Sequence, residues 1–561
     1  GVGTIAHRGD LQYERFRTPR PDTTYEMLSR APGLIQVAAF GEGADNEAAP
    51  ELPLDDEVRL GEPVGLSDAP AVSLFDLEDP RAIARTVSAD TPTLLAGDGA
   101  GIVAWARTGG LEPDRAILYP ASFVDEPDRL RELVGDERAQ LVVTDTNRRQ
   151  GRRWGSVREN DGYTERAGEE PLDPDPADNR LEKFPGAGDD SFTVTEQRGG
   201  ATLSASAYGN PVSYTPADRA ARAMDGDPST AWRVGAFDEP RGEFLQVELD
   251  DPLTASELTI LQRQPPADRW ITEVELSFDG GEPEAVGLDE SSLSEPGQTV
   301  EFGERAFETL RITITETNIG VLDRYIGISD VGIAELRIPG AGPVTEVVRP
   351  PTDLLAAAGS GSIDHPVSYV FTRRSSNPAE VVTSDEEDTM LRLVQAPVDR
   401  GYTVFGSSRV AADASEALID STIGMVGSEA GAVTATSSHR LAGDPRSRAA
   451  SALDGDPTTA WQTPVNGAVG SAIEVDSANP FDLEDPEILV RNDGLHSLPS
   501  ALLVSVDGGE AQLVELAAPA VANRTVAEYG ATESITVPFR ASGVNELRIE
   551  VAAVAEATSL D

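Results

Sequence analysis

The chain has 561 residues, with 97 Asp and Glu against 45 Lys and Arg, a formal net charge of -52 at pH 7. So acidic a surface argues against nucleic acid as a partner, because phosphates would be repelled. There is no cysteine, which excludes disulfides and thiolate metal sites without settling the compartment. No apolar run approaches the roughly 20 residues a membrane helix needs. Low aromatic content with 52 Gly and 40 Pro suits several β-rich domains joined by loops.

The first residues, Gly1-Val2-Gly3-Thr4-Ile5, offer neither a Met nor a basic leader, and the chain is expected to be a piece of a longer protein. Residues 1–158 form an N-terminal region. It opens on a short strand, followed by His7-Arg8-Gly9-Asp10, the basic stretch Arg15-Phe16-Arg17-Thr18-Pro19-Arg20-Pro21, and strand-like Gly33 to Ala38. The arginines are read as pairing with local carboxylates. From about 70 to 150 strands and helices alternate: strand Thr93–Ala96, helix Gly101–Thr108, strand Ala116–Tyr119, helix Pro127–Val134 and strand Gln140–Asp145. That pattern predicts a small parallel α/β unit. Gly97-Asp98-Gly99-Ala100-Gly101 lacks dinucleotide-loop spacing and reads as a connecting turn.

Residues 159–190 are rich in Asp, Glu, Pro and Gly and read as an acidic linker. Beyond them the chain repeats itself. Asp225-Gly226-Asp227-Pro228-Ser229-Thr230-Ala231-Trp232 returns as Asp454-Gly455-Asp456-Pro457-Thr458-Thr459-Ala460-Trp461, an ungapped offset of 229 (454 − 225). Glu273 to Gly281 is echoed by Ala501 to Gly509, and Thr309 to Thr315 by Glu546 to Ala552. Two copies of one domain follow, at 191–340 and 431–561, separated by alternating runs at 345–425 that predict a further small β-domain. The acidic run Asp385-Glu386-Glu387-Asp388 in that region reads as a solvated turn. The second copy lacks a counterpart of residues 328–338, so a closing strand of that sandwich is expected to be missing.

In the repeated motif Asp and Gly set a tight turn, and Asp and Thr oxygens are hard ligands. Two readings stand: a calcium loop, or a turn whose Asp side chains cap backbone N–H groups. The pattern A-x-D-G-D-P-x-T-A-W, closed by Gly332-Ile333-Ala334-Glu335-Leu336, resembles the discoidin-like domains of coagulation factors and related carbohydrate-binding modules. The resemblance implies a jelly-roll β-sandwich, a structural Ca2+ at this loop, and glycan or lipid head-group binding through loops at one end. It points to Asp225, Asp227, Thr230 and Glu335 as calcium ligands in the first copy, and to Asp454, Asp456 and Thr459 in the second. In the first copy Arg263, Arg269 and Trp270 are glycan-contact candidates, because sugars pair an aromatic face with charged hydrogen-bonding groups. The alternative is that Trp270 begins the core of the next strand.

The fold class expected is therefore mainly β and multidomain: two discoidin-like jelly-roll sandwiches, a further small β-domain and an N-terminal α/β unit. The order of several segments carries a wider resemblance. Arg17-Thr18-Pro19-Arg20-Pro21, Val143 to Arg149, Phe184 to Asp190 and Glu196-Gln197-Arg198-Gly199-Gly200 look like the extracytoplasmic C-terminal region of cell-wall α-(1→3)-arabinofuranosyltransferases. That implies a membrane-tethered, extracytoplasmic fragment whose partners are cell-wall arabinan or galactan and the N-terminal membrane domain of the parent protein. The catalytic carboxylate of the family lies in that membrane domain, none of which is expected here, so no catalytic residue is assigned. His7, His365, His439 and His496 are scattered and form no triad or His-x-x-x-His pair. The resemblance implies a non-catalytic glycan-binding and scaffolding region; the alternative is a structural or protein-docking array without sugar binding.

Overall fold

The computed structural model describes residues 2–11, 21–43, 68–82, 84–153, 160–172, 179–211, 213–262, 269–319, 329–359, 366–373, 386–387, 389–396, 398–408, 410, 414–422, 433–441, 445–457, 459–464, 467–494, 496–522 and 531–557. They fall into two compact units. One is chiefly Gly1–Arg85 with Gly406–Asp561, the other chiefly Thr86–Ser376 with Val382–Phe405. The chain is mainly β and multidomain.

Strands β1 (Thr4–Arg8), β2 (Leu34–Gly43) and β3 (Pro70–Leu77) form an antiparallel sheet in the order β1-β3-β2. The helix Pro21–Arg30 sets the Tyr25 ring 6.0 Å from both His7 and Phe75. Ile35, Val37 and Phe40 of β2 stay exposed. Residues 70–77 therefore belong to this sheet, and the α/β unit begins later than expected. The basic stretch at 15–20 lies outside the described residues.

In the other unit β4 (Thr93–Ala96), β5 (Ile117–Leu118) and β6 (Gln140–Thr144) run parallel. Successive strand residues point to opposite faces, so an unbroken apolar run needs cover on both. The helix Gly99–Arg107 supplies Ala104 and Trp105 to Leu95 and Val142. The helix Pro127–Val134 supplies Leu130, Leu133 and Val134 to Leu94, Leu141 and Val143. Asp98 caps the first helix by accepting the Ala100 N–H at 3.0 Å and pairs with the ammonium of Lys183, the only lysine in the chain.

The described part of 159–190 is packed rather than free. Tyr163 meets Tyr208 edge-on at 5.0 Å and lies against the sandwich core, while Arg149 and Arg180 both hold Glu165. Composition predicted a linker there because the partners that order it lie elsewhere in the chain.

The first sandwich follows: β7 (Val194–Arg198), β8 (Ala201–Ala205), β9 (Trp232–Val234), β10 (Phe244–Leu261), β11 (Ile271–Phe278), β12 (Glu284–Gly287), β13 (Gln298–Thr317), β14 (Val331–Ile333) and β15 (Glu335–Arg337). Its main sheet runs β12-β11-β13-β10-β15 with β8 also on β10, and β14 pairs with β9. The inward alternate residues Leu245, Val247, Leu258, Ile260, Leu276 and Ile312 are fully buried in one core. Register shifts along the long β10–β13 pair bend both strands around it.

Residues 345–425 do not form the separate β-domain expected. β16 (Thr345–Arg349) pairs with β7, and β17 (Val367–Val370) runs parallel to β6 as the fourth strand of the α/β sheet. Alternation identifies a strand but not its partner, and a parallel partner is necessarily distant in sequence. Nor are Glu386 and Glu387 solvated. Both are buried, Glu386 against Arg148 and Glu387 against Arg148 and Arg392; Asp385 and Asp388 lie outside the described residues.

The second sandwich has β18 (Val433–Ser437), β19 (Ala472–Glu484), β20 (Glu487–Arg491), β21 (Leu498–Val506), β22 (Gln512–Glu515), β23 (Thr532–Thr536) and β24 (Arg540–Ala555). The order β18-β19-β24-β21-β22 repeats β8-β10-β13-β11-β12, and β20 pairs with β23. Val475 opposes Leu547 as Val247 opposes Leu310, so the registers correspond.

Candidate functional site

The acidic loop of the first sandwich folds on its own side chains. Asp225 ends a 3-10 turn that buries Ala221, Ala223 and Met224, and Gly226 follows at φ +82, a conformation glycine adopts without steric cost. Asp225 Oδ1 accepts the Asp227 N–H at 2.9 Å, and Oδ2 accepts the Thr230 hydroxyl at 2.8 Å and Arg222 at 3.2 Å. Trp232 is fully buried beneath the loop and donates its indole N–H to Ala207 O at 2.9 Å. From β15, buried Glu335 accepts the Gly226 N–H at 3.3 Å. Burial, reinforced by the charge of Asp225, pushes the Glu335 carboxyl up to about 7; burial also raises Asp225.

Two poorly solvated carboxyls turned on one loop, with the Thr230 hydroxyl beside them, fit a hard cation such as Ca2+. Asp227 Oδ1 accepts the Ser229 N–H at 2.9 Å and hydroxyl at 2.6 Å, and its carbonyl accepts the Thr230 N–H and hydroxyl, each at 3.0 Å. Among the described residues no group of three or more His, Cys, Asp or Glu is placed to hold a metal ion. A cation here would combine Asp225 and Glu335 with loop oxygens.

In the second copy Asp454 Oδ1 accepts the Asp456 N–H at 2.9 Å, and the Thr459 hydroxyl bonds Asp454 Oδ2 at 2.8 Å and Asp456 O at 3.0 Å. The turn is the same. Arg491 at the end of β20 donates to Pro457 O at 2.8 Å. Arg491 aligns with Arg263 in the repeat (Ile260-Leu261-Gln262-Arg263 against Ile488-Leu489-Val490-Arg491). Arg263 itself lies outside the described residues.

Arg269 is no sugar contact. Its residue is 2% exposed, and its guanidinium donates to Asp238 O at 2.9 Å and to Gly235 O. Sequence proximity to Trp270 suggested a surface pair, but a strand entry turns adjacent side chains apart. Trp270 is half-buried immediately before β11, with its backbone N–H donating to Asn318 Oδ1 at 2.9 Å.

What Arg269 holds is the loop of a residue not singled out from sequence. Phe237 sits at φ +64 and is 62% exposed. For a bulky aromatic this left-handed backbone costs on the order of 1–3 kcal/mol and persists only when its surroundings impose it. The only sequence signal was Gly235-Ala236-Phe237-Asp238-Glu239-Pro240, a glycine-to-proline turn with an aromatic at its tip. Ion pairs flank it: Arg233 lies 3.8 Å from Asp218 and 3.7 Å from Asp330, and Arg241 holds Glu239 at 2.9 Å. Burial pushes the Asp218 carboxyl up to about 6. The arrangement offers a rigid aromatic face with half-exposed charged groups on the adjoining loops, suited to stacking on a sugar and bonding its hydroxyls.

A second polar cluster caps the carboxyl end of β6. Asp145 accepts the Thr372 N–H at 3.0 Å and Arg392 at 2.7 Å, and Arg148 bridges Glu386 and Glu387, each at 3.2 Å. Every member is paired, which makes this a structural tie between distant segments.

Residues 1–179 match the family model described as alpha-(1->3)-arabinofuranosyltransferase, N-terminal GT-C domain. The alpha-(1->3)-arabinofuranosyltransferases of Mycolicibacterium smegmatis and Mycobacterium tuberculosis are each 25% identical to this chain, covering 83% of it and 32% of their own length. The chain thus spans about a third of these relatives. The cryo-EM structure of the arabinofuranosyltransferase AftD from Mycobacteria matches 99% of the chain and 40% of its own, with a TM-score of 0.61 and 17% identity. A mutant of that enzyme matches 99% and 42%, with a TM-score of 0.62 and 18% identity. The resemblance carried by the segments around Val143–Arg149 and Phe184–Asp190 therefore extends over most of the chain. Within residues 1–179, the span that the family's N-terminal model matches, no described helix is long and apolar enough to cross a membrane.

Proposed function

We infer that this chain, similar along most of its length to the alpha-(1->3)-arabinofuranosyltransferases, is a glycan-binding and scaffolding region of a membrane-tethered arabinosyltransferase acting outside the cytoplasm in cell-wall arabinan synthesis. Its role is to hold polysaccharide acceptor, arabinan or galactan, near a catalytic centre elsewhere in the parent protein. The observation that carries this reading is Phe237, held exposed at φ +64 by the buried guanidinium of Arg269. Strain maintained at an exposed aromatic points to a function for that face. Weak sites on a tethered module raise the local acceptor concentration without needing high affinity.

Ca2+ at Asp225, Thr230 and Glu335 would be structural, bridging the loop to β15. The test is a titration of the whole chain with arabinan, galactan and unrelated polysaccharides, comparing wild type with Phe237→Ala. Saturable binding that the substitution abolishes supports the reading; binding unchanged by it removes Phe237 from the site.

The alternative, a docking array without sugar binding, draws on the exposed Ile35, Val37 and Phe40 of β2. It predicts no glycan binding and failed assembly of the parent protein when these are made polar.

A further inference from the structure

The two acidic loops share a turn but not its surroundings. Ala220-Ala221-Arg222-Ala223-Met224 leads into the first and Ala449-Ala450-Ser451-Ala452-Leu453 into the second. The offset of 229 that joins Asp225 to Asp454 therefore joins Arg222 to Ser451 (451 − 222). In both loops the leading aspartate accepts the N–H two residues on at 2.9 Å and the threonine hydroxyl at 2.8 Å. The difference lies one turn upstream.

Arg222 spans two partners. One arm of its guanidinium donates to Asp225 Oδ2 at 3.2 Å, and the other donates to Glu386 O at 3.1 Å. The Arg222 and Asp225 side chains are 12% and 15% exposed. Glu386 is itself fixed, its carboxylate accepting the Thr164 N–H at 2.6 Å and Arg148 at 3.2 Å. The guanidinium cannot withdraw from Asp225 without giving up the Glu386 carbonyl. A positive charge is thus tethered beside the carboxylate.

The second loop carries no charge at that position. Ser451 is buried, and Asp454 is exposed. Among the described residues Asp454 holds the Asp456 N–H and the Thr459 hydroxyl and pairs with no Arg or Lys. Arg491 reaches this loop at Pro457 O instead. A cation that binds Asp225 has to share the carboxylate with a guanidinium that already neutralises it, whereas one at Asp454 does not. Like charges that close, in a partly buried setting, repel strongly enough to change affinity on the order of tenfold or more.

We propose that Arg222 sets the cation affinity of the first acidic loop. Its tethered guanidinium is a resident counter-charge for Asp225, which holds the turn without metal and weakens the binding of a divalent cation there. The second loop, with Ser451 in place of the arginine, has no such charge and depends more on a cation. The inference rests on the calcium reading of these loops and is independent of glycan binding.

The test uses the whole chain carrying Asp454→Asn, so that calcium reports on the first loop, stripped with EDTA and titrated with calcium chloride by calorimetry. Arg222→Gln and Arg222→Ser are each expected to bind calcium roughly tenfold or more tightly than the protein with Arg222 intact. Arg222→Lys, which keeps the charge, retains the weak binding. Both neutral variants melt lower in EDTA and regain that loss when calcium is added. An arginine that only ties the loop to Glu386 predicts the opposite, lower melting together with weaker binding. Arg222→Gln keeps a donor for Glu386 O and decides the matter if Arg222→Ser fails to fold. Affinity in Arg222→Gln equal to or below that of the protein with Arg222 intact would overturn the proposal and leave the calcium reading standing. Binding that survives Asp225→Asn, or no binding by any variant at millimolar calcium, would remove the calcium reading of this loop and the proposal with it.

Discussion

The guanidinium of Arg269 donates to the carbonyl oxygen of Asp238 at 2.9 Å, and its second arm reaches Gly235, so one buried side chain spans the loop on which Phe237 stands. Nothing about the sugar chemistry requires Arg269 to touch a ligand. Its contribution is to make the aromatic face rigid before binding, which spares the ordering cost that a mobile loop would incur.

Replacing Arg269 therefore acts through stability first. Arg269→Met removes the guanidinium from the carbonyl of Gly235, which keeps the Asp238 N–H at 3.0 Å, and from that of Asp238, an exposed residue, at about 1 kcal/mol each. The unit containing it is expected to lose about 1–2 kcal/mol in urea unfolding, and glycan binding falls with the loop. Arg269→Lys, with one point charge in place of a fork, recovers only part of either.

Phe237 behaves in the opposite way. Phe237→Gly suits the left-handed backbone and is expected to raise stability by up to about 1 kcal/mol while abolishing glycan binding. A melting temperature that falls on this change would mean that Phe237 packs as a structural residue and that its strain serves nothing outside the fold.

The buried charge cluster gives a further stability test. Burial alone would raise Glu386, yet the Arg148 and Arg219 guanidiniums hold its carboxyl below the usual range. Arg148→Met leaves Asp145 and Glu387 with Arg392, and Glu386 with the more distant Arg219, as counter-charge and should cost about 3–5 kcal/mol. Removing Glu387 at the same time should recover part of that loss, measurable as a double-mutant cycle.

How much of this was legible beforehand depended on whether the partner lay nearby. The repeat, the strands of the α/β sheet and the turn chemistry at Asp225 and Thr230 are local patterns, and each appears where its pattern stands. Glu335 was reachable because the motif Gly332-Ile333-Ala334-Glu335-Leu336 closes the first copy. The destination of Val367–Val370, the burial of Glu386 and Glu387, and the inward turn of Arg269 all depend on contacts more than 25 residues distant, which local periodicity does not encode. Phe237 was missed because an aromatic in a polar loop has no period, and its backbone angle is visible only in the fold.

Two carboxyls, Asp218 beside the Phe237 loop and Asp353 at the start of a short helix, set a pH dependence. Burial pushes both Asp218 and Asp353 up to about 6 from an ordinary 3.8. Folding thus favours their neutral forms. The stability they contribute is complete below about 3.8 and is lost as pH rises through about 6. Their unit should melt at a higher temperature at pH 5 than at pH 7.5, and the difference should shrink in Asp353→Asn and Asp218→Asn. An unchanged difference in both variants would assign the dependence to other groups.

The measurement that bears most directly on the account is a calorimetric titration of the whole chain with arabinan and galactan, run on wild type and Phe237→Gly. The account predicts saturable binding to one or both polymers, lost in Phe237→Gly at undiminished stability. Absence of binding to either polymer, or binding that survives Phe237→Gly, would contradict it and favour the docking array.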